Sequence, residues 1–304
     1  MTRPPLSSAE IAEHLAETSR TFALTIPLLG PPLEAQIGAA YLLFRVADTL
    51  EDAPRWGRGP REQALTSFSA WVRAPSGPGS AAWLRACETT QPTEDAGCLA
   101  LLADADRLHA TVSAFPSAVR EAMVRHVVRT TDGMARFVST QGDSGELELP
   151  DIDALAAYCY VVAGIVGELL TELFVIAEPA LASVERDLAA DARAFGEGLQ
   201  LVNILKDAGD DAREGRRYLP RSVARADVTL RARRDLETAT RYVDTLRRGG
   251  ASPGVLAFTG LPVALAVATL DRLDAGAAKL TRDEVGAIAA PFLASLSPAA
   301  SDAR

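Results

Sequence analysis

The stretch NILKDAGDD, residues 203–211, places three aspartates within five positions, directly after the apolar-rich segment GLQLV. A helix turns about 100° per residue, so Asn203, Asp207, Asp210 and Asp211 fall at about 0°, 40°, −20° and 80° and share one face. Carboxylates stacked on one face beside apolar residues repel each other and resist ionisation unless their charge is offset. The segment therefore predicts a helix that presents oxygen ligands from apolar surroundings.

A second acidic cluster has the same form nearer the N-terminus. The segment RVADTLEDAP carries Arg45, Asp48, Glu51 and Asp52 and follows the apolar residues AAYLLF. On a helix the three acids again share one face. A divalent cation would remove the conflict, and oxygen ligands without histidine favour Mg²⁺ over zinc. Two such clusters facing each other would hold a polyphosphate, whereas the alternative is a pair of solvated helix ends with i,i+4 ion pairs.

Composition limits the classes of protein that this chain can belong to. Its 304 residues are 48% hydrophobic and 23% charged, which is typical of a globular protein. A formal net charge of −9 argues against nucleic-acid binding. Three cysteines and three histidines leave no zinc-site spacing, and free thiols in a reducing cytoplasm are expected, with Cys87–Cys98 pairing as the alternative. The N-terminus lacks the apolar region of a signal peptide.

The pattern along the chain predicts one all-α domain over residues 1–304, with a short tail at about 297–304. Ser7 to Glu10 forms a capping-box pattern that opens a first helix, and Pro31-Pro32 precedes a helix that runs to about Asp52. Residues 141–150 are expected to form a loop. Further helices are predicted at 61–73, 94–112, 117–139, 151–176, 179–212, 222–248, 253–277 and 281–296. The apolar stretches 156–177 and 254–270 are interpreted as buried helices that line an apolar space, and no transmembrane anchor is expected.

Six stretches of the chain, in order, resemble the head-to-head prenyl synthases, namely squalene synthase and phytoene or dehydrosqualene synthase. These are SRTFALTIPLL (19–29), FRVADTLED (44–52), DGMARF (132–137), YCYVVAGIVGELLTELF (158–174), GLQLVNILKDAGDDAREGRRYLP (198–220) and FTGLPVALAVATL (258–270). The DTLED, YCYVVAG and FTGLPVALAVATL segments look more like squalene synthase, whereas RRYLP looks more like the phytoene branch. The resemblance implies a class I isoprenoid synthase-like helical bundle around a central cavity.

The resemblance also implies roles for individual residues. The Mg²⁺ ligands that it implies are Asp48, Glu51, Asp52, Asn203, Asp207 and Asp211. The substrate-binding positions that it implies are Ser19, Arg20, Phe22, Arg45, Gln200, Asn203 and Arg216. Tyr158 matches a tyrosine that takes part in proton removal, and it joins Asp48, Asp52, Asp207 and Asp211 as the expected catalytic group. Core packing remains the alternative for Phe22 and Tyr158, as does a helix ion pair for Arg45. Asp210 stands where the family often has glutamate, and its role is open.

The implied activity is Mg²⁺-dependent condensation of two farnesyl diphosphates through presqualene diphosphate to squalene, with reduction by NADPH. NADPH rests on the resemblance alone, because no G-x-G-x-x-G motif follows a strand. The alternatives are phytoene or dehydrosqualene synthesis without reduction, a head-to-tail prenyltransferase or terpene cyclase, and a non-catalytic helical protein. The expected location is the cytoplasm, with peripheral membrane contact for product release.

Overall fold

The computed structural model describes residues 3–19, 22–142, 147–213, 216–276 and 280–296, and α-helices form most of this part of the chain. In chain order, the α-helices are α1 (Ser8–Thr18), α2 (Phe22–Thr25), α3 (Leu33–Asp52), α4 (Arg58–Arg73), α5 (Ala82–Thr89), α6 (Ala96–Ala103), α7 (Ala105–Ala114), α8 (Ser117–Ser139), α9 (Ile152–Cys159), α10 (Ile165–Ala177), α11 (Glu185–Arg213), α12 (Arg225–Arg248), α13 (Pro253–Asp274) and α14 (Arg282–Ala294). The predicted all-α class is confirmed. The extent of the domain remains a prediction, and its tail at about 297–304 lies outside the described residues.

Local signals explain where several helices begin. Ser7 Oγ accepts the Glu10 backbone N–H, and the Glu10 carboxylate accepts the Ser7 backbone N–H, which is the predicted capping box of α1. Asp151 caps α9 by accepting the Ala154 N–H at 2.8 Å. Ser252 caps α13, whose first residue is Pro253. These caps satisfy backbone donors that a helix leaves unpaired at its N-terminus.

Several predicted helix boundaries were wrong, because the local sequence pattern does not show where these helices break or begin. The helix predicted at 94–112 is two helices, α6 and α7, with a break at Asp104. The helix predicted from residue 179 starts as a 3₁₀ segment, Pro179–Val184, before α11 begins. Helix α5 was not predicted, and a 3₁₀ turn, Ile26–Leu29, follows α2.

The predicted loop 141–150 contains a short strand. Strand β1 (Leu147–Glu148) pairs in parallel with β2 (Arg216–Arg217), so Leu147 lies opposite Arg216 and Glu148 opposite Arg217. Arg221 also forms an ion pair with Glu148 at 2.7 Å. Strands of two residues have no readable periodicity, because their pairing depends on distant parts of the chain meeting in space.

The predicted helix 151–176 is interrupted by a π-helical turn, Tyr160–Gly164, between α9 and α10. A π-turn adds one residue to a helical turn and is frequent at functional sites. We call these five residues the π-turn. The turn lies against α8 and α11, because Gly133 would bring an added Cβ within 2.5 Å of Val161, and Gly196 would bring one within 2.1 Å of the Ala163 carbonyl oxygen.

Two helical stretches, Ile152–Ala177 and Pro253–Asp274, are long and apolar enough to cross a membrane. Half of the most apolar part of the first and 61% of that of the second are buried inside the protein, as in core helices. Both stretches contribute residues to one internal cavity, including Val162 and Phe258. This location agrees with their interpretation as helices that line an apolar space.

Candidate functional site

A cavity of about 260 Å³ lies among α2, α3, α8, α10, α11, α13 and the π-turn. Its walls are mostly apolar, with Phe44, Val166 and Leu170 among the side chains that line it. Four residues from the sequence-predicted site also line it: Phe22, Asp48, Gln200 and Asn203. The fold therefore brings one residue of each acidic motif to the same cavity, although the two motifs are far apart in the sequence.

The first motif occupies the last two turns of α3. Burial raises the pKa of Asp48 to about 7; neighbouring Arg45 opposes this rise and Asp52 adds to it. Burial lowers the pKa of Arg45, but the charges of Asp48, Cys98 and Tyr41 outweigh it and raise that pKa overall. A partly ionised carboxyl beside a cation and a second acid is a site that would gain from a bound metal ion.

Tyr41 belongs to the same face of α3 and was not singled out from the sequence. It lines the cavity one turn before Arg45, and its ring centroid lies 5.1 Å from that of Phe22. Burial raises the pKa of its hydroxyl. The signal was present, because Tyr41, Arg45, Asp48 and Asp52 follow i, i+4, i+7, i+11 spacing.

The second motif runs along α11. Asn203 is exposed at the cavity, and its side-chain oxygen accepts from Lys206 Nζ at 3.3 Å. Lys206 also lies 3.2 Å from the Asp207 carboxylate. Asp207 and Asp211 continue the Asn203 side of the helix by one and two turns, and they are not among the residues that line the cavity.

Asp210 pairs with Arg213 on the exposed surface of α11. This contact is a local i,i+3 ion pair within one helix, of the kind that stabilises helices only slightly. Asp210, whose role the sequence does not determine, therefore has a structural partner in Arg213.

A metal cage made by protein side chains alone is absent from the described ranges. In residues 3–19, 22–142, 147–213, 216–276 and 280–296, no three His, Cys, Asp or Glu side chains lie close enough to hold a metal ion. The two motifs instead approach the cavity from different helices. Mg²⁺ is usually held by one or two carboxylates and by substrate phosphates, so the donor set fits that ion.

Tyr158 is buried and is not among the residues that line the cavity. Its ring stacks on that of Tyr218 at 5.0 Å between centroids and meets Phe137 edge-on at 5.2 Å. Burial, then the charge of Glu51 and the neighbouring Tyr218, raise its pKa well above the ordinary value. Tyr158 therefore interacts with both the buried Glu51 of the first motif and Tyr218. Tyr218 follows β2, and the sequence alone did not identify it as a site residue.

Three further residues, Ser19, Arg20 and Arg216, were predicted to bind the substrate. Ser19 Oγ accepts the backbone N–H of Phe22 at 3.0 Å and so holds the start of α2. Arg20 lies outside the described residues. Arg216 is described only as a residue of β2, whose pairing places its backbone beside Leu147.

A larger groove of about 940 Å³ lies between α8 and α9, on the outer side of the π-turn. Arg129, Arg136 and Tyr160 line it, and Arg129 pairs with Glu168 at 2.7 Å. None of the residues predicted for the site lines this groove. We therefore assign the candidate site to the smaller cavity, where the acidic motifs lie.

The chain matches a known protein family over most of its length. The family model for squalene/phytoene synthase matches residues 15–287. A probable squalene synthase of Neurospora crassa is 26% identical over 289 residues, with 85% of this chain and 55% of that protein covered. Squalene synthase 3 of Panax ginseng is 27% identical over 286 residues, with 84% and 61% covered. The chain thus spans little more than half the length of these relatives.

Solved structures resemble the chain over nearly its whole length. A ligand complex of TcSQS aligns with a TM-score of 0.73 at 21% identity, covering 95% of this chain and 89% of that one. Squalene synthase HpnC from Alicyclobacillus acidocaldarius aligns with a TM-score of 0.55 at 18% identity, covering 90% and 95%. These similarities confirm the predicted helical fold.

Proposed function

The chain belongs to the squalene/phytoene synthase family, and from this premise we propose that it joins two farnesyl diphosphates head to head and yields squalene. One observation carries the proposal: Asp48 of the first acidic motif and Asn203 of the second line the same apolar cavity. A cavity with apolar walls and a few oxygen-bearing side chains in its lining suits a molecule with an apolar chain and a charged head.

The reaction that we propose depends on Mg²⁺. We assign its ligands to Asp48, Glu51, Asp52, Asn203, Asp207 and Asp211, of which one or two carboxylates would hold an ion together with diphosphate oxygens. When bound, Mg²⁺ neutralises a diphosphate and makes it a better leaving group. The raised pKa of Asp48 supports this assignment, since a carboxyl buried beside Asp52 gains most from a nearby cation.

The chain's own residues bind and shield the substrates. Arg45 lies beside Asp48 and supplies a fixed positive charge for a diphosphate oxygen. Gln200 lies on the same side of α11 as Asn203, and we assign it the role of orienting that side chain. Apolar residues such as Phe22 and Val166 keep water away from the allylic cation that forms when a diphosphate leaves. Ser19, Arg20 and Arg216 complete the proposed substrate set.

Tyr158 is assigned to proton transfer. Attack by the alkene of the second substrate on the allylic cation forms a carbon–carbon bond, and loss of one proton then closes a cyclopropane ring to give presqualene diphosphate. The Tyr158 hydroxyl stays protonated at neutral pH because its pKa is raised well above its ordinary value. It therefore takes up that proton only while passing its own to Tyr218, which is hydrogen-bonded to it and passes a proton on to the released diphosphate. Direct transfer to the released diphosphate is the alternative.

The final step distinguishes two candidate products. Ionisation of presqualene diphosphate and rearrangement join the two head carbons, and hydride from NADPH gives squalene. We propose NADPH from the family alone and assign no residue to it. The second candidate is loss of a proton instead, which gives a conjugated triene such as dehydrosqualene or phytoene, and the matched family includes phytoene synthases.

Gas chromatography of the products made from farnesyl diphosphate and Mg²⁺, with and without NADPH, tests the proposal. Squalene that forms only with NADPH supports it, whereas a conjugated triene in both samples favours the second candidate. Turnover that requires isopentenyl diphosphate would show a head-to-tail enzyme. Asp48→Asn and Asp207→Asn should abolish product with the helical circular-dichroism signal retained, while Asp244→Asn, an exposed partner of Arg247, serves as the control.

We further propose that the protein works in the cytoplasm, with peripheral contact to a membrane. The reason is chemical, since a hydrocarbon product leaves a protein more readily into a bilayer than into water. Separation of the active protein into cytosolic and membrane fractions at low and high salt checks this location.

A further inference from the structure

The first acidic motif lies at the C-terminus of α3, the end of a helix that is unfavourable for negative charge. The C-terminus of a helix carries a partial negative charge, because its last carbonyl groups have no partner within the helix. Helix α3 ends in Glu51 and Asp52, and its last turn contains no basic residue. A cation from elsewhere in the fold would therefore stabilise this end of the helix.

Arg61 of α4 provides that cation from a buried position. The residue is only 8% exposed, and one guanidinium nitrogen donates to the Glu51 carbonyl oxygen at 3.1 Å. The other donates to Gln141 Oε1 at 2.6 Å, just after the end of α8. Burial lowers the pKa of Arg61, while the charges of Glu51 and Asp52 act in the opposite direction. A planar guanidinium holds its donors in fixed directions and so ties the two elements in one geometry, whereas the flexible ammonium of a lysine does not fix that direction.

We infer that Arg61 is a positioning residue for the first acidic motif, which fixes the last turn of α3 so that Asp48 and Asp52 take up Mg²⁺ with a diphosphate. This inference rests on the proposed function. The bond goes to the backbone of the motif, so Arg61 orients the turn that carries the ligands. Groups that orient metal ligands from behind typically change metal affinity by about 10- to 100-fold when removed.

A purely structural role for Arg61 predicts a different result from a positioning role. A structural tie lowers the unfolding temperature and leaves metal affinity unchanged in the folded protein. A positioning residue changes metal affinity at temperatures where the protein is fully folded. Arg58 offers a matched control, because it lies on the same helix and donates to the Gln141 carbonyl oxygen at 2.9 Å.

The experiment measures Mn²⁺ binding by electron paramagnetic resonance in the presence of inorganic pyrophosphate, with wild type, Arg61→Met, Arg61→Lys and Arg58→Met. Circular dichroism first establishes that each protein is folded. We expect Arg61→Met to weaken Mn²⁺ binding by about 10- to 100-fold and Arg58→Met to bind as wild type does. Arg61→Lys keeps the charge but not the two-way bridge, so we expect it to weaken binding by several-fold.

Wild-type affinity in folded Arg61→Met overturns the inference. If Arg61→Met does not fold, Arg61→Lys decides in its place, and unchanged affinity in that variant overturns the inference equally. Equal weakening in Arg58→Met would also overturn it, because the effect would then belong to Gln141 and not to α3. Failure of the wild type to bind Mn²⁺ with pyrophosphate contradicts the proposed function itself, so the two failures are distinguishable.

Discussion

Gly196 of α11 lies in backbone contact with Ala163 of the π-turn. A Cβ atom added to Gly196 would lie 2.1 Å from the Ala163 carbonyl oxygen and 2.7 Å from its carbonyl carbon. Both residues also line the cavity. The closeness of the two backbones therefore shapes the wall of the candidate site directly.

Gly196→Ala should destabilise the protein, because the clash is with backbone atoms that cannot rotate away. Overpacking of this kind costs about 1–3 kcal/mol, which corresponds to a fall of roughly 2–10 °C in unfolding temperature for a chain of this size. Gly209→Ala is the matched control on the same helix, since nothing lies within 4 Å of its added Cβ. Thermal unfolding followed by circular dichroism measures both, and an unchanged unfolding temperature for Gly196→Ala would contradict the contact.

The sequence was sufficient for features that depend on local pattern. Helix α8 runs from Ser117 to Ser139 as predicted, because its amphipathic period is regular and Pro116 precedes it. Helical spacing also grouped Asp48 with Asp52 on one face, and Asn203 with Asp207 on another. These inferences needed only the 3.6-residue period and the side-chain types.

Features that depend on tertiary contact could not be inferred in the same way. The π-turn has the same apolar composition as a regular helix, and its position depends on close approach of Gly133 and Gly196 from other helices. The pairing of Leu147 with Arg216 joins two segments whose closeness no local pattern encodes. The burial of Tyr158 against Tyr218, and the backbone bond from Arg61, likewise depend on packing of distant segments.

The stability of the metal-free protein should depend on Asp48 in a predictable direction. Its carboxyl has a pKa of about 7 in the folded protein, raised by burial from an ordinary 3.8. Between those values the folded state holds the proton more tightly than the unfolded state does. The free energy of unfolding therefore falls as pH rises from about 4 to 7, and the loss persists above pH 7.

Asp48→Asn removes this penalty, so in EDTA the variant should unfold at a higher temperature than wild type at pH 8, with a smaller difference at pH 5. Thermal unfolding at both values measures the effect. Asp244→Asn, whose carboxylate is exposed, is the control and should show no such pH-dependent gain. A difference of the same size at both pH values would rule out a perturbed Asp48 carboxyl.

Tyr158→Phe should lower turnover while leaving the fold intact. The variant keeps the ring that packs on Tyr218 and Phe137 and loses only the hydroxyl. Positioned proton transfer typically contributes at least about 100-fold to rate, so we expect a loss of that order in kcat for formation of the cyclopropyl intermediate. Tyr242→Phe is the control, because its buried hydroxyl bonds Thr171 at 2.7 Å within the core. A full-rate Tyr158→Phe variant would identify Tyr158 as a packing residue.

Phe258→Leu should extend the cavity and shift substrate preference towards longer chains. Phe258 lines the cavity and is buried, with its ring centroid 6.4 Å from Phe22 and 6.2 Å from Phe174. Phe22 in turn packs on Tyr41, which lies about 10 Å along α3 from Asp48. Phe22 and Phe258 thus line a part of the cavity about two turns of α3 from Asp48, where we expect the apolar end of a bound prenyl chain to lie.

Leucine at position 258 keeps an apolar contact but removes the flat ring, so a C20 diphosphate gains room that a C15 diphosphate does not need. We expect the ratio of kcat/KM for geranylgeranyl diphosphate to that for farnesyl diphosphate to rise about tenfold, the range that one or two buried methylene groups provide. Phe68→Leu is the control, because Phe68 packs on Trp71 and Trp83 in the core and does not line the cavity. An unchanged ratio in folded Phe258→Leu, or an equal rise in Phe68→Leu, would show that this aromatic contact does not limit chain length.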